Sequence, residues 1–314
     1  MAKEVKKQPK RAAASAGRTR ILTKKQRKAK AKKDVQKRPK LIGSFKLTWQ
    51  VLNTIRRHWR TLFGIIIVYL LLNVVFGGIS NISGNFSTIK DEINASGSSG
   101  LWPAAKGFAS LVGTSGTSGS ATGSSLQSVL FVIVSLVIIW ALRHLLSGQH
   151  VKIKTAYYNS TLPLIPFLLV ILVILIQLLP VTVGAGVLAV VSNSVFTNSG
   201  VATTAAIISL VLLAAWSIYM VCASIFAAYI VTLPDMMPRQ ALRSARDLVR
   251  YRRLTVIRRI LFMPLFIFVV LGIIITPLIL WASFIVPAVF LCLTALAVLF
   301  AHTYLYSLYR GLLE

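Results

Sequence analysis

The chain has 314 residues, 56% of them apolar and 13% charged, against about a quarter charged in an ordinary soluble domain. So much apolar surface cannot be hidden in one soluble core, and the charge is lopsided, 35 Lys and Arg against 7 Asp and Glu. The two cysteines, Cys222 and Cys292, both fall inside long apolar runs, which speaks against a disulfide framework or a cysteine zinc site.

Residues 1–40 are mostly Lys, Arg, Ala and Gln. Such a tract cannot bury enough surface to offset its ordering entropy, and a disordered basic tail is expected. It is far longer than the basic start of a secretory leader, so the first apolar run is expected to stay in the protein as a span.

In residues 41–60, at 100° per residue, Phe45, Trp49, Val51, Leu52, Ile55 and Trp59 fall on one side and Lys46, Gln50, Asn53, Arg57 and Arg60 on the other. That register predicts an amphipathic helix lying at a membrane surface. Arg56 breaks the pattern, although its stem can snorkel.

Charge-free apolar runs predict an all-α polytopic protein with six spans, near 61–80, 126–146, 162–180, 203–233, 260–280 and 284–306. About twenty residues at 1.5 Å each cross a hydrocarbon core. The Gly/Ser/Thr/Asn-rich segment 81–125 reads as an external loop, with Trp102 and Phe108 able to dip into the interface. The third span is expected to weaken at Pro180 and the Gly184/Gly186 pair, and the fourth is longer than a straight crossing needs. Pro234 and Pro238 should end the fourth span, and residues 236–259 should form a second basic helix on the membrane, with Arg239, Arg243, Arg246 and Arg250 along one stripe and Leu242, Ala245 and Val249 on another face. The turn between spans five and six falls between Thr276 and Pro287.

With six spans and a cytoplasmic N-terminus, all of the 35 Lys and Arg except Lys90 and Lys106 fall on the cytoplasmic side. Each inner connection then obeys the positive-inside rule, which places both termini in the cytoplasm of a cell membrane.

Three stretches lead into the odd-numbered spans in a similar way: SFKLTWQVLNTIRRHW, VKIKTAYYNSTLPLIP and ALRSARDLVRYRRLTVIRR. Each is a basic or polar helix-like segment followed by an apolar hairpin. Together with LPDMMPRQALRSARDLVRYRR between spans four and five, this layout resembles a group of six-span bacterial membrane proteins that includes the membrane domain attached to some glycerophosphodiester phosphodiesterases, over residues 42–310. The resemblance implies a six-helix membrane domain. It implies no phosphodiesterase activity, because that chemistry belongs to a separate soluble barrel whose carboxylate ligands are missing here.

Hydrolytic or metal chemistry needs converging carboxylates, His or Cys, whereas Glu4, Asp34, Asp91, Glu92, Asp235, Asp247 and Glu314 all lie outside the spans. No enzyme activity, metal or cofactor is therefore expected. The polar residues within spans, Asn73, Gln177 and His302, are candidates to line a pathway or to bond across helices. GTSGTSG lacks the strand and the GK[ST] of a phosphate loop.

The expected function is a non-catalytic membrane protein bound to anionic lipid through Lys46, Arg57, Arg60, Arg239, Arg243, Arg246 and Arg250. The alternatives are a channel or permease for an uncharged or amphipathic molecule, and membrane anchoring of nucleic acid or the ribosome by residues 1–40.

Overall fold

Without water to satisfy backbone N–H and C=O groups, a chain in hydrocarbon has only helices or closed barrels open to it, and every regular element among the described residues is a helix. The computed structural model describes residues 42–77, 121–195, 200–233, 236–250, 252–281 and 285–313. The basic tail 1–40 and residues 81–120 of the expected external loop lie outside them.

In chain order the helices are α1 (Ser44–Arg57), α2 (Trp59–Gly77), α3 (Ala121–Leu146), α4 (Ile153–Ser160), α5 (Leu164–Val195), α6 (Gly200–Ser224), the single turn α7 (Ala227–Ile230), α8 (Pro238–Val249), α9 (Arg253–Trp281) and α10 (Val286–Leu313). Among the described residues, six stretches are long and apolar enough to cross a membrane: Trp59–Phe76, Leu126–Leu146, Leu164–Val187, Ile208–Ile230, Arg253–Leu278 and Val286–Leu313. Their outer faces carry rows of exposed Leu, Ile, Val and Phe, such as Leu168, Leu172, Leu175, Leu179 and Val183 on α5, a surface suited to lipid. The protein is an all-α, multi-pass integral membrane protein.

Three units follow one another, each a short helix and then a hairpin of two spans. α1 leads into α2–α3, α4 into α5–α6 and α8 into α9–α10, and the two long helices of each hairpin pack against each other. α10 is the hub, touching α1, α2, α3, α8 and α9. It buries Phe290, Ala295, Leu299, Phe300, Thr303, Tyr304, Leu305, Leu308 and Leu312 along its length.

Because the spans alternate in direction, all three short helices collect at one end of the bundle. α4 closes on α2 there because Gly64 has no Cβ, and the Ile153 side chain occupies the space one would take. The Tyr157 O–H then donates to the Ile65 carbonyl at 3.0 Å.

Tertiary packing revises several expectations. The apolar arc of α1 divides in two: Val51 is buried, together with Leu47 from outside the arc, in the core that includes Tyr304 and Leu308, while Phe45 and Trp49 stay 78% and 75% exposed. α8 does not lie with its apolar face on the membrane. Ala241, Ala245 and Val249 are fully buried against Phe226, Tyr229 and the end of α10, because those small side chains let the helix approach protein more closely than lipid would. The helix stops at Val249, and Arg253 already opens α9, so the fifth span begins earlier than residue 260.

Proline behaves differently from expectation as well. α5 runs through Pro180 to Val195, and α9 passes Pro264 and Pro277, which interior helices in membranes tolerate when neighbours take up the freed carbonyls. Pro238 starts α8 at its first turn, where the missing N–H has no intrahelical partner to lose. The fourth apolar run is interrupted near its end: it turns at Ile225–Phe226 and restarts as α7, whose Tyr229 and Ile230 N–H groups both bond to Phe226 O at 3.1 Å. Residues 121–125, expected in the loop, already belong to α3.

Candidate functional site

The polar groups of the bundle concentrate at the end where α1, α4 and α8 gather. Every described Lys and Arg is on those short helices, on their flanks or in the adjoining turns of α2, α3, α9 and α10, and Asp247 is the sole acid among the described residues. Of the head-group candidates, Lys46, Arg57 and Arg60 are exposed around α1, and Arg239, Arg243, Arg246 and Arg250 are exposed along α8. Burial, and then the charges of Arg57 and His150, hold His58 at the α1–α2 joint below the ordinary imidazole range.

Beneath this surface Arg143, in the last turn of α3, reaches the frayed end of α7. Its guanidinium donates to Thr232 O at 2.7 Å, to Thr232 Oγ1 at 2.6 Å and to Tyr229 O at 3.4 Å. These carbonyls end a helical turn, where Tyr229 O also accepts from Thr232 Oγ1 at 2.9 Å, and a cation suits them through both hydrogen bonding and the helix dipole. At the start of α9 Arg253 donates to the Tyr219 hydroxyl and lies 4.8 Å from the centre of that ring.

A chain of hydrogen bonds runs inward from Tyr229. Its fully buried hydroxyl lies 3.1 Å from His302 Nδ1, His302 Nε2 lies 3.0 Å from Ser135 Oγ, and Ser135 Oγ donates to Phe131 O at 2.7 Å. A hydroxyl has one proton. Ser135 spends it on the Phe131 carbonyl, so His302 must donate from Nε2, and Nδ1 must accept from Tyr229. Every donor in the chain then has an acceptor with a neutral imidazole.

The other two pathway candidates lie elsewhere. Asn73 is buried, and its Nδ2 donates to Tyr69 O of its own helix at 3.3 Å. The backbone carbonyl of Gln177 accepts from Ser217 of α6 at 2.7 Å, while its side-chain Oε1 is sealed in without a partner among the described residues. Asn73, Gln177 and His302 are thus on three different helices, α2, α5 and α10, and no hydrogen bond joins any two of them among the described residues. An open groove of about 560 Å³ lies over α4, lined by Lys154, Thr155, Tyr157, Tyr158 and Thr161. Among the described residues no three His, Cys, Asp or Glu side chains gather as a metal site would require.

Ser135, Thr232 and Tyr229 were not singled out by sequence reasoning. Each is one hydroxyl in an apolar run, and its partner is 73 to 167 residues away in the case of His302. No family model matches the chain, and no curated protein or solved structure matches it either.

Proposed function

We propose that the chain is a non-catalytic protein of a bacterial-type cell membrane, with cytoplasmic termini, whose basic end binds anionic lipid head groups. The observation that carries this reading is the gathering of all described cations at one end of six apolar spans, with a single acid among them. Each Lys or Arg near a negatively charged leaflet contributes about 1 kcal/mol. A cytoplasmic leaflet rich in such lipid is therefore the surface this end fits best.

Two further features support it. Phe45 and Trp49 stand out from α1 toward the surroundings, as side chains of an interfacial helix do. α8 turns its buried face to protein and holds Arg239, Arg243 and Arg246 outward. The layout of three basic lead-ins and three hairpins also keeps the likeness to the six-span phosphodiesterase-associated membrane domain as part of the proposal.

The test is reconstitution of the full chain into bilayers of phosphatidylcholine with and without phosphatidylglycerol, followed by measurement of unfolding. Stability should rise with the anionic fraction, and the gain should shrink as salt is added. Equal stability in the two bilayers at low salt would refute the reading.

A further inference from the structure

We infer that one anionic lipid head group is held specifically, by its phosphate, where the first turn of α1 meets Arg259 of α9 and Tyr304 of α10. The inference rests on the anionic-lipid reading above and assigns it a site.

Arg259 is the first half of the argument. Its side chain is 7% exposed, and among the described residues its guanidinium has neither an acid nor a hydrogen-bond acceptor. The charges that act on it come from Arg252 and Arg258, of the same sign, and from the Tyr304 side chain. Leaving a buried cation unpaired is far costlier than burying a paired one. Arg253 Nε and Gln177 Oε1 are fully sealed without partners, but the Arg259 nitrogens are not among such sealed atoms.

The first turn of α1 is the second half. The N-cap is Gly43, which has no side chain to offer, and no side-chain cap is made. Leu47 N bonds back to Gly43 O at 2.9 Å, beginning the helical ladder, and among the described residues the N–H groups of the preceding turn are left as donors at the positive end of a 14-residue helix. Such an end favours phosphate.

Packing brings the two halves together. The Tyr304 hydroxyl donates to Arg259 O at 3.2 Å, and both the Ser44 side chain and the Arg259 charge are near enough to act on it. Phe45 meets Phe262, one turn after Arg259, edge to face at 5.2 Å. The start of α1 therefore lies across the stretch of α9 that carries the unpaired cation. The first-turn N–H groups and Arg259 offer a phosphate main-chain donors and a charge-assisted fork.

The surroundings favour a lipid over free phosphate. On the two helices that meet here, Phe45, Trp49, Leu261 and Leu265 are exposed apolar side chains. Acyl chains cover them, whereas a soluble anion leaves them bare.

The full chain in neutral detergent is titrated with phosphatidylglycerol, phosphatidylcholine or inorganic phosphate, and bound adducts are counted by native mass spectrometry. Wild type should retain one phosphatidylglycerol in preference to phosphatidylcholine, and millimolar inorganic phosphate should not displace it. Arg259→Gln should weaken that adduct by about tenfold, the loss of one charge-assisted contact, and Arg259→Lys should weaken it less.

Gly43→Asp guards against a folding artefact. A Cβ there meets nothing within 4 Å, and an N-cap Asp stabilises the helix while its carboxylate occupies the anion's place. It should raise the melting temperature in neutral detergent and still weaken the adduct. The triple change Arg239→Gln, Arg243→Gln and Arg246→Gln should leave this adduct intact while lowering the general preference for anionic bilayers.

A phosphatidylglycerol adduct within twofold of wild type in both Arg259→Gln and Gly43→Asp overturns the site. If anionic bilayers still stabilise the protein, the broader reading survives that result. Displacement by inorganic phosphate overturns the lipid as the source of the anion, and no preference for phosphatidylglycerol in wild type or in bilayers overturns both.

Discussion

The buried Tyr229–His302–Ser135 chain commits to one imidazole tautomer, and Ser135→Ala tests it. In the native chain the proton sits on Nε2 because the Ser135 hydroxyl is spent on Phe131 O at 2.7 Å. Removing the hydroxyl leaves Nε2–H without its acceptor at 3.0 Å. An orphaned buried donor costs about 1–3 kcal/mol in soluble proteins, whereas hydrogen bonds between membrane helices average about 0.6 and reach about 1.7 kcal/mol. The membrane scale should govern here, and the histidine has an escape: it can move its proton to Nδ1, with the Tyr229 hydroxyl rotating from donor to acceptor. Ser135→Ala is therefore expected to cost about 1 kcal/mol and to switch the tautomer. Tyr229→Phe should cost a similar amount and leave the proton on Nε2, since only an acceptor loses its donor. Nitrogen-15 spectra of the histidine ring read the tautomer directly, and steric trapping in bilayers reads the stability. A native spectrum with the proton on Nδ1 would refute the donor order, and so would a Ser135→Ala spectrum identical to the native one.

Three further outcomes follow from packing and charge. A Cβ on Gly184 would lie 2.6 Å from Leu213 Cδ1 of α6, while one on Gly186 meets nothing; Gly184→Leu should lower stability by about 1–3 kcal/mol, and Gly186→Ala should raise it by up to about 1 kcal/mol, both measured by unfolding in mixed micelles. Arg143→Gln should cost about 2 kcal/mol, since its bonds to Thr232 and Tyr229 are charge-assisted; Arg143→Lys should recover only part of that, because an ammonium lacks the planar fork, and full recovery would show that charge alone suffices. Burial pushes the Tyr157 hydroxyl from 10.0 up to about 12. The folded state then keeps a proton that the unfolded state loses, so stability present below pH 10 should fall between about pH 10 and 12, and Tyr157→Phe should flatten that part of a pH titration of unfolding.

The basic end brings these features into one functional picture. Short helices docked on the bundle carry these cations, so under the proposed reading the packing of those helices sets the pattern of charge offered to lipid. Arg143 and Arg253 are taken up by carbonyls and by the Tyr219 ring, whereas Arg259 is the buried cation that protein groups do not satisfy among the described residues.

What the sequence determined by itself was the fold class and the crowding of charge at one end. Both follow from composition along the chain: an uncharged run of about twenty residues has one low-energy place, and its charged neighbours must stay in water. It also made the three lead-in helices legible, because α1 and α8 carry apolar residues at helical spacing. It could not say what covers each apolar face, since Val51 and Trp49 are alike to a hydropathy scale, and only the position of α10 sends one inward and leaves the other outside. Likewise the partners of His302 lie on helices 73 and 167 residues away in the chain, and Arg259 reads as the last charge before a span until α1 and Tyr304 are placed beside it. Hydrophobic patterning acts residue by residue, whereas hydrogen bonds and buried charges depend on which helices meet, and that choice is made by side-chain packing in three dimensions.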